Sequence, residues 1–282
     1  MGSMTQQDPT LDEELMELAD ALREHLVWQR ACGTTALPQA PPTQEAAMAA
    51  ALPPAPQAPA TATEPRAAAH EGAAVAPVAP RAPRIEVPQD PAARLAKLEQ
   101  LAAAARACDK CRLHATRTQA VFSRGSPSSE LMFVGEGPGA DEDAQGVPFV
   151  GKAGQLLDKM IKAMGLDPAE VYVCNIVKCR PPENRTPEPD EMAACIPYLH
   201  EQIALVAPKA IVALGGTAAK GLLGATEGIT RLRGRWRLYR ASIPVMPTFH
   251  PSYLLRKEDA KRDVWIDLKD VVKTLGRTLP GK

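Results

Sequence analysis

The sequence predicts an α/β fold, a three-layer α/β/α sandwich around a central four-stranded parallel sheet. Short apolar runs at 131–134, 171–177, 210–214 and 245–249 alternate with helical stretches at 152–164, 188–206, 216–223 and 259–275. Apolar runs of this length, bounded by turn residues, read as strands buried on both faces. Strands that alternate with helices build a parallel sheet covered on both sides. Ligands of such sheets gather at the carboxyl ends of the strands. There the four runs lead into Gly135, Asn175, Gly215 and His250.

Ahead of this pattern the chain changes character. Residues 1–32 read as an acidic amphipathic helix, with Leu11, Leu15, Leu18, Leu22 and Leu26 on one stripe. That helix either docks on its own domain or offers a surface to a protein partner. Residues 33–92 hold 13 of the 28 prolines and few large apolar groups, so they read as a disordered linker. The folded domain is expected over 93–282, opening with an alanine-rich helix at 93–107.

The net charge is zero, but it is unevenly spread. Residues 1–95 carry 6 Lys+Arg against 12 Asp+Glu, and residues 96–282 carry 27 against 21. A basic second half suits an anionic partner. No apolar run approaches the length of a membrane span, and no export signal opens the chain. A cytoplasmic protein is therefore expected, with its six cysteines free or metal-bound.

Cys108 and Cys111 form a C-x2-C pair, and Cys179 and Cys195 form a second, wider pair. Four thiolates suit either a tetrahedral zinc ion or an iron–sulfur cluster, and composition does not choose between them. Cys174 falls inside an expected strand and reads as core. Gly135-Glu-Gly-Pro-Gly139 is a loop where backbone can approach a ligand. It is not G-x-G-x-x-G, and no G-K-[ST] follows, so a nucleotide-binding reading is weak. Phe149 could stack on a base, and the Asn175 amide could read a base edge. Leu254 and Leu255 could be buried, or could wedge into a duplex. Arg233, Arg235, Arg256 and Lys257 could contact phosphates.

Taken together, these segments resemble the family 4, iron–sulfur type of uracil-DNA glycosylase. The resemblance rests on Cys-Asp-Lys-Cys at 108–111, GEGPGADEDAQGVPFVGKAGQLLDKM at 135–160 and VYVCNIVKCRPPENRTPEPDEMAAC at 171–195. It continues through AIVALGG at 210–216 and PTFHPSYLLR at 247–256. It covers about residues 95–275 and is silent on residues 1–94. It implies the uracil-DNA glycosylase superfamily fold and an enzyme, expected as a monomer, that acts on uracil-containing DNA.

The resemblance also implies site roles. Cys108, Cys111, Cys179 and Cys195 would hold a structural 4Fe–4S cluster. Gly135, Glu136 and Gly137 would line the uracil pocket, with Phe149 stacked on the flipped base and Asn175 on its Watson–Crick edge. Glu142 would fill the space beside C5. His250 would face uracil O2, and Leu254 would fill the gap left by the flipped nucleotide. Glu136, with Asn184 as second choice, would position the attacking water. A relative that becomes covalently trapped on uracil-containing DNA is a rival, but its nucleophilic histidine has no counterpart in 178–185. A non-catalytic or polymerase-associated module is the rival of another class.

Overall fold

The computed structural model describes residues 87–280. The helix expected at 11–31, and all but the last residues of the Pro/Ala-rich stretch, lie outside the described residues. Regular structure opens with α1 (Pro91–Arg106). Asp90 caps it by accepting the Ala93 N–H at 2.9 Å, and Pro91 sits in the first turn, where its missing N–H costs nothing. The helix therefore starts ahead of the boundary expected at 93. Its buried face, Leu98, Leu101, Ala102 and Ala105, packs on α4 (Pro189–Val206).

The sheet is built of β1 (Arg124–Gly125), β2 (Leu131–Gly135), β3 (Tyr172–Asn175), β4 (Ala210–Leu214), β5 (Arg237–Tyr239) and β6 (Ile243–Thr248). Their order is β1-β3-β2-β4-β6-β5. The inner four are parallel, as the apolar runs imply. The four-stranded expectation is corrected at the edges, where β1 and β5 each add an antiparallel strand. With two and three residues, both are too short to show a period in the sequence.

Side chains alternate across this sheet. Met132, Val134, Tyr172, Cys174, Ile211 and Ala213 join one core with residues of α1, α4 and α5 (Gly216–Leu223). Leu131, Phe133, Val173, Val212 and Leu214 join the other with α3 (Lys152–Ala163) and α8 (Lys261–Thr274). Cys174 is fully buried in β3, as expected of a core residue. Among the described residues, no helix is long and apolar enough to cross a membrane.

From β2 the chain first pairs on one side, as β3, then crosses to the other side of β2, as β4. The sheet thus reverses direction beside β2. A crevice opens at the strand ends where the loops leave in opposite directions.

One buried carboxylate fastens the loops beneath this crevice. Glu191, in the first turn of α4, is fully buried. It accepts from Arg112 Nε at 2.8 Å, from Arg185 Nη1 and Nη2 at 2.8 and 2.6 Å, and from the Glu188 N–H at 2.8 Å. It thereby joins α4 to the segment after Cys111 and to the loop after β3. The Arg185 guanidinium, against the opposing effect of burial, holds its carboxyl down to about 2. A depressed carboxyl stabilises the fold above its unfolded value, near 4.5, and loses that effect as pH falls towards 2. Glu191→Gln should lower stability in denaturant unfolding at pH 7 by roughly 2 kcal/mol. That is below the scale for a fully buried pair, because both arginines reach solvent. The gap to wild type should narrow as pH falls from about 5 towards 2. A gap that is the same at every pH would show that the ion pairs contribute nothing.

Candidate active site

The strand ends open into a cleft of about 570 Å³. Glu136, Gly137 and Gly139 follow β2, Asn175 ends β3, Gly215 and Gly216 follow β4, and His250 follows β6; all seven lie on its wall. The cleft therefore gathers the positions that the sequence marked at the strand ends, with one exception.

The exception is Gly135, which lies behind the wall. A Cβ there would stand 2.4 Å from Asn175 Oδ1 and 2.5 Å from Phe149 Cζ. Gly135 is buried and makes room for two side chains that line the cleft. Asn175 is 2% exposed, and its Oδ1 is buried with no hydrogen-bond partner. An unsatisfied buried acceptor costs about 1–3 kcal/mol, so a site that keeps one is shaped to meet a donor.

Phe149 is held in an unusual backbone. Its φ is +57°, a conformation that costs a bulky residue on the order of 1–3 kcal/mol. Gly154 permits it, since a Cβ there would meet the Phe149 carbonyl oxygen at 1.8 Å. Glu142, in α2 (Ala140–Gln145), fastens the same loop. Its carboxylate accepts from the Gly139 N–H at 3.0 Å and from those of Val150 and Gly151 at 2.9 Å. Those bonds occupy both oxygens, so Glu142 offers a ligand bulk more than hydrogen bonds.

His250 stands 5.7 Å from Phe149 between ring centroids, tilted by 32°. Its Nδ1 lies 3.1 Å from the Ser252 N–H, which donates to it, and 2.8 Å from Ser252 Oγ. A ring nitrogen that accepts from a backbone N–H carries no proton, so the neutral ring is protonated on Nε2. Burial, reinforced by Arg256, pulls the imidazole down to about 4. At neutral pH His250 is therefore an uncharged donor.

Glu136 accepts a short hydrogen bond from Thr217 Oγ1. This contact links the loop after β2 to the first turn of α5, across the point where the sheet reverses. Thr217 was not singled out from the sequence, because its partner lies 81 positions away. Asn184 lies exposed on the rim at φ +56°. Its Oδ1 accepts from Arg180 Nε at 2.8 Å, and that sharing makes it a poorer water acceptor than the Glu136 carboxylate.

On the α1 side, Cys108, Cys111, Cys179 and Cys195 line one small cavity with Lys110, Arg117, Lys178 and Tyr198. Arg117 Nη1 donates to Cys179 Sγ at 3.0 Å, and the Lys178 N–H to Cys195 Sγ at 3.2 Å. Burial pushes the Cys195 thiol up to about 11. Among the described residues, no three His, Cys, Asp or Glu side chains are gathered for a single metal ion.

The Uracil DNA glycosylase superfamily model matches residues 122–269. A type-4 uracil-DNA glycosylase of Thermotoga maritima is 49% identical over 150 residues, 53% of this chain and 78% of that protein. The type-4 uracil-DNA glycosylase of Sulfurisphaera tokodaii is 43% identical over 182 residues, 62% of this chain and 83% of that protein. That of Saccharolobus solfataricus is 40% identical over 186 residues, 63% and 86%. The chain belongs to the type-4 uracil-DNA glycosylases.

Two side chains expected to meet DNA are engaged elsewhere in the fold: Leu254, carried over from the family motif, and Arg233, one of the cations expected to contact phosphates. Leu254 closes α7 (Pro251–Leu254) with 0% exposure, inside the core shared with α8. It cannot enter a duplex without leaving that core. The exposed apolar groups of this turn are Tyr253 and Leu255, at 37% and 46%. Arg233 is likewise spoken for. It holds the buried Asp267 through Nε at 3.1 Å and Nη2 at 2.6 Å, donates to the Asp263 carbonyl at 2.6 Å and stacks on Phe249. Arg235, Arg256 and Lys257 are exposed, and Arg256 also lines the cleft.

Burial pushes the Asp267 carboxyl up to about 6, while Thr248 and Arg233 pull against it. Removing Arg233 would leave that buried acid without its cation. Arg233→Ala should therefore cost about 3 kcal/mol in denaturant unfolding, the scale for breaking a buried pair. It should leave the salt dependence of DNA affinity unchanged. A salt slope flattened by about one unit would restore Arg233 as a phosphate contact.

Proposed function

We propose that this chain hydrolyses the N-glycosidic bond of uracil in DNA and leaves an abasic site. The observation that carries the reading is the unsatisfied, buried Asn175 Oδ1 at the floor of a cleft that also holds a neutral imidazole donor. Uracil presents an N3–H donor between two carbonyl oxygens. The Asn175 amide offers the matching acceptor and donor.

The base must leave the stack before the bond can be reached. Phe149 then gives the flipped ring an apolar face. Leu255 is the exposed apolar side chain that suits the gap left behind, in place of Leu254. Arg235, Arg256 and Lys257 are cations for the flanking phosphates.

As the bond breaks, negative charge develops on uracil and positive charge on the sugar. His250 Nε2–H donates to the growing charge at O2 without having lost a proton of its own. Glu136, its carboxylate anchored by Thr217, accepts from the water that adds to the sugar. Glu142 crowds the C5 side, where thymine carries a methyl group.

The four-cysteine cavity fits a 4Fe–4S cluster on donor chemistry: four thiols, with the Arg117 guanidinium and the Lys178 N–H donating to two of the sulfurs. Bound there, the cluster would supply cross-linking of three chain segments and no step of the hydrolysis. The enzyme is taken to act as a cytoplasmic monomer.

The test is single-turnover release of uracil from a uracil-containing oligonucleotide, read as abasic sites. His250→Ala should lower that rate roughly 100- to 1000-fold, the usual loss for one donor to a developing anion. Affinity for the DNA should change little. Wild-type protein that forms no abasic sites would end the catalytic reading. A near-wild-type mutant would end the role of His250.

A further inference from the structure

We propose that Lys178 is a positioning residue for Asn175, fixing the base-reading amide and tying it to the cysteine loop. The inference rests on the reading of Asn175 as the group that recognises uracil.

Lys178 is 1% exposed, between the cleft and the cysteine cavity. Its Nζ donates to the Asn175 carbonyl oxygen at 2.6 Å and to Gln202 Oε1 at 2.5 Å. Neither acceptor carries a charge. An ammonium can only donate, so the Gln202 amide is fixed with its oxygen inward. Its nitrogen then donates to the Phe122 carbonyl at 3.1 Å and to the Tyr172 hydroxyl at 3.0 Å. The lysine is therefore anchored on its far side by a buried chain of bonds.

The turn from Asn175 to Cys179 is short, and the ladder to β2 runs along one edge of it. Ile176 N–H donates to the Gly135 carbonyl at 2.9 Å, and Val177 N–H to that of Glu136 at 3.1 Å. Lys178 closes the turn: its side chain returns to Asn175, its N–H meets Cys195 Sγ, and its carbonyl accepts from the Val121 N–H at 2.7 Å. One residue thus touches the base-reading position, a cysteine of the cavity and the chain leading to β1.

Burying an ammonium against neutral acceptors costs several kcal/mol, and an apolar side chain of the same length would fill the space with less loss. The Phe122 ring, 5.8 Å from Nζ, and the cysteine cavity beside it share in holding the ammonium, but only its bond to the Asn175 carbonyl bears on where the amide stands. The Asn175 Oδ1 has no partner of its own to hold it, and it can meet a base correctly only if its backbone is fixed.

The test uses the full chain and two readouts, inhibition by free uracil and single-turnover excision, in a cycle with Asn175→Ala. Lys178→Met should weaken uracil inhibition and slow excision by roughly 10- to 100-fold, the scale of a displaced recognition group. In the Asn175→Ala background it should change either by no more than about threefold. Visible absorbance per protein should stay at the wild-type level, which separates this effect from loss of iron. Gln202→Leu loosens the same ammonium without touching the cysteine loop, and should give the same pattern even if Lys178→Met does not fold. Losses of equal size in both Asn175 backgrounds would reduce Lys178 to general support and overturn the proposal, as would wild-type inhibition in both variants. If Asn175→Ala alone leaves uracil inhibition unchanged, the base-reading role itself fails. That result needs no change at Lys178.

Discussion

A single missing side chain sets the geometry of the cleft. Strand β2 ends in Gly135, and the space its Cβ would fill is taken by the Asn175 amide and the Phe149 ring. Both therefore lie against the end of the central strand, where the sheet reverses direction. A methyl group at this point would force the amide and the ring outward together. The bare position lets a hydrogen-bonding group and an apolar plane share one wall.

The chemistry follows from what surrounds that wall. The cleft keeps an acceptor without a partner, a neutral imidazole and a carboxylate tied to a hydroxyl. An imidazolium would have bound an anion more strongly, but it would also have bound the ground state of any polar base. In the proposed hydrolysis a neutral donor would favour the charge that appears only as the bond breaks. Arg256 serves twice, lining the cleft and helping to keep His250 uncharged.

The sequence revealed the scaffold where its signals were local. Four parallel strands, the residues at their ends and the two cysteine pairs all follow from runs of neighbours and short spacings. What stayed hidden depended on long-range packing. Whether Leu254 or Leu255 faces inward cannot be read from two adjacent leucines, because the answer lies in the α8 core. Arg233 reads as one of several exposed arginines until Asp267, 34 positions on, is brought beside it. Lys178 resembles any basic residue beside a cysteine until its ammonium is found buried under Asn175. The edge strands β1 and β5 were invisible because two or three residues carry no period.

The central claim is that the lone Asn175 Oδ1 is the acceptor for uracil N3–H. Inhibition of single-turnover excision by free uracil and by 3-methyluracil tests it directly, since the methyl group removes that one donor and leaves both carbonyl oxygens. The account predicts that uracil inhibits about 10- to 100-fold more strongly than 3-methyluracil, and that Asn175→Ala erases the difference. Equal inhibition by the two bases in the wild-type enzyme would contradict it.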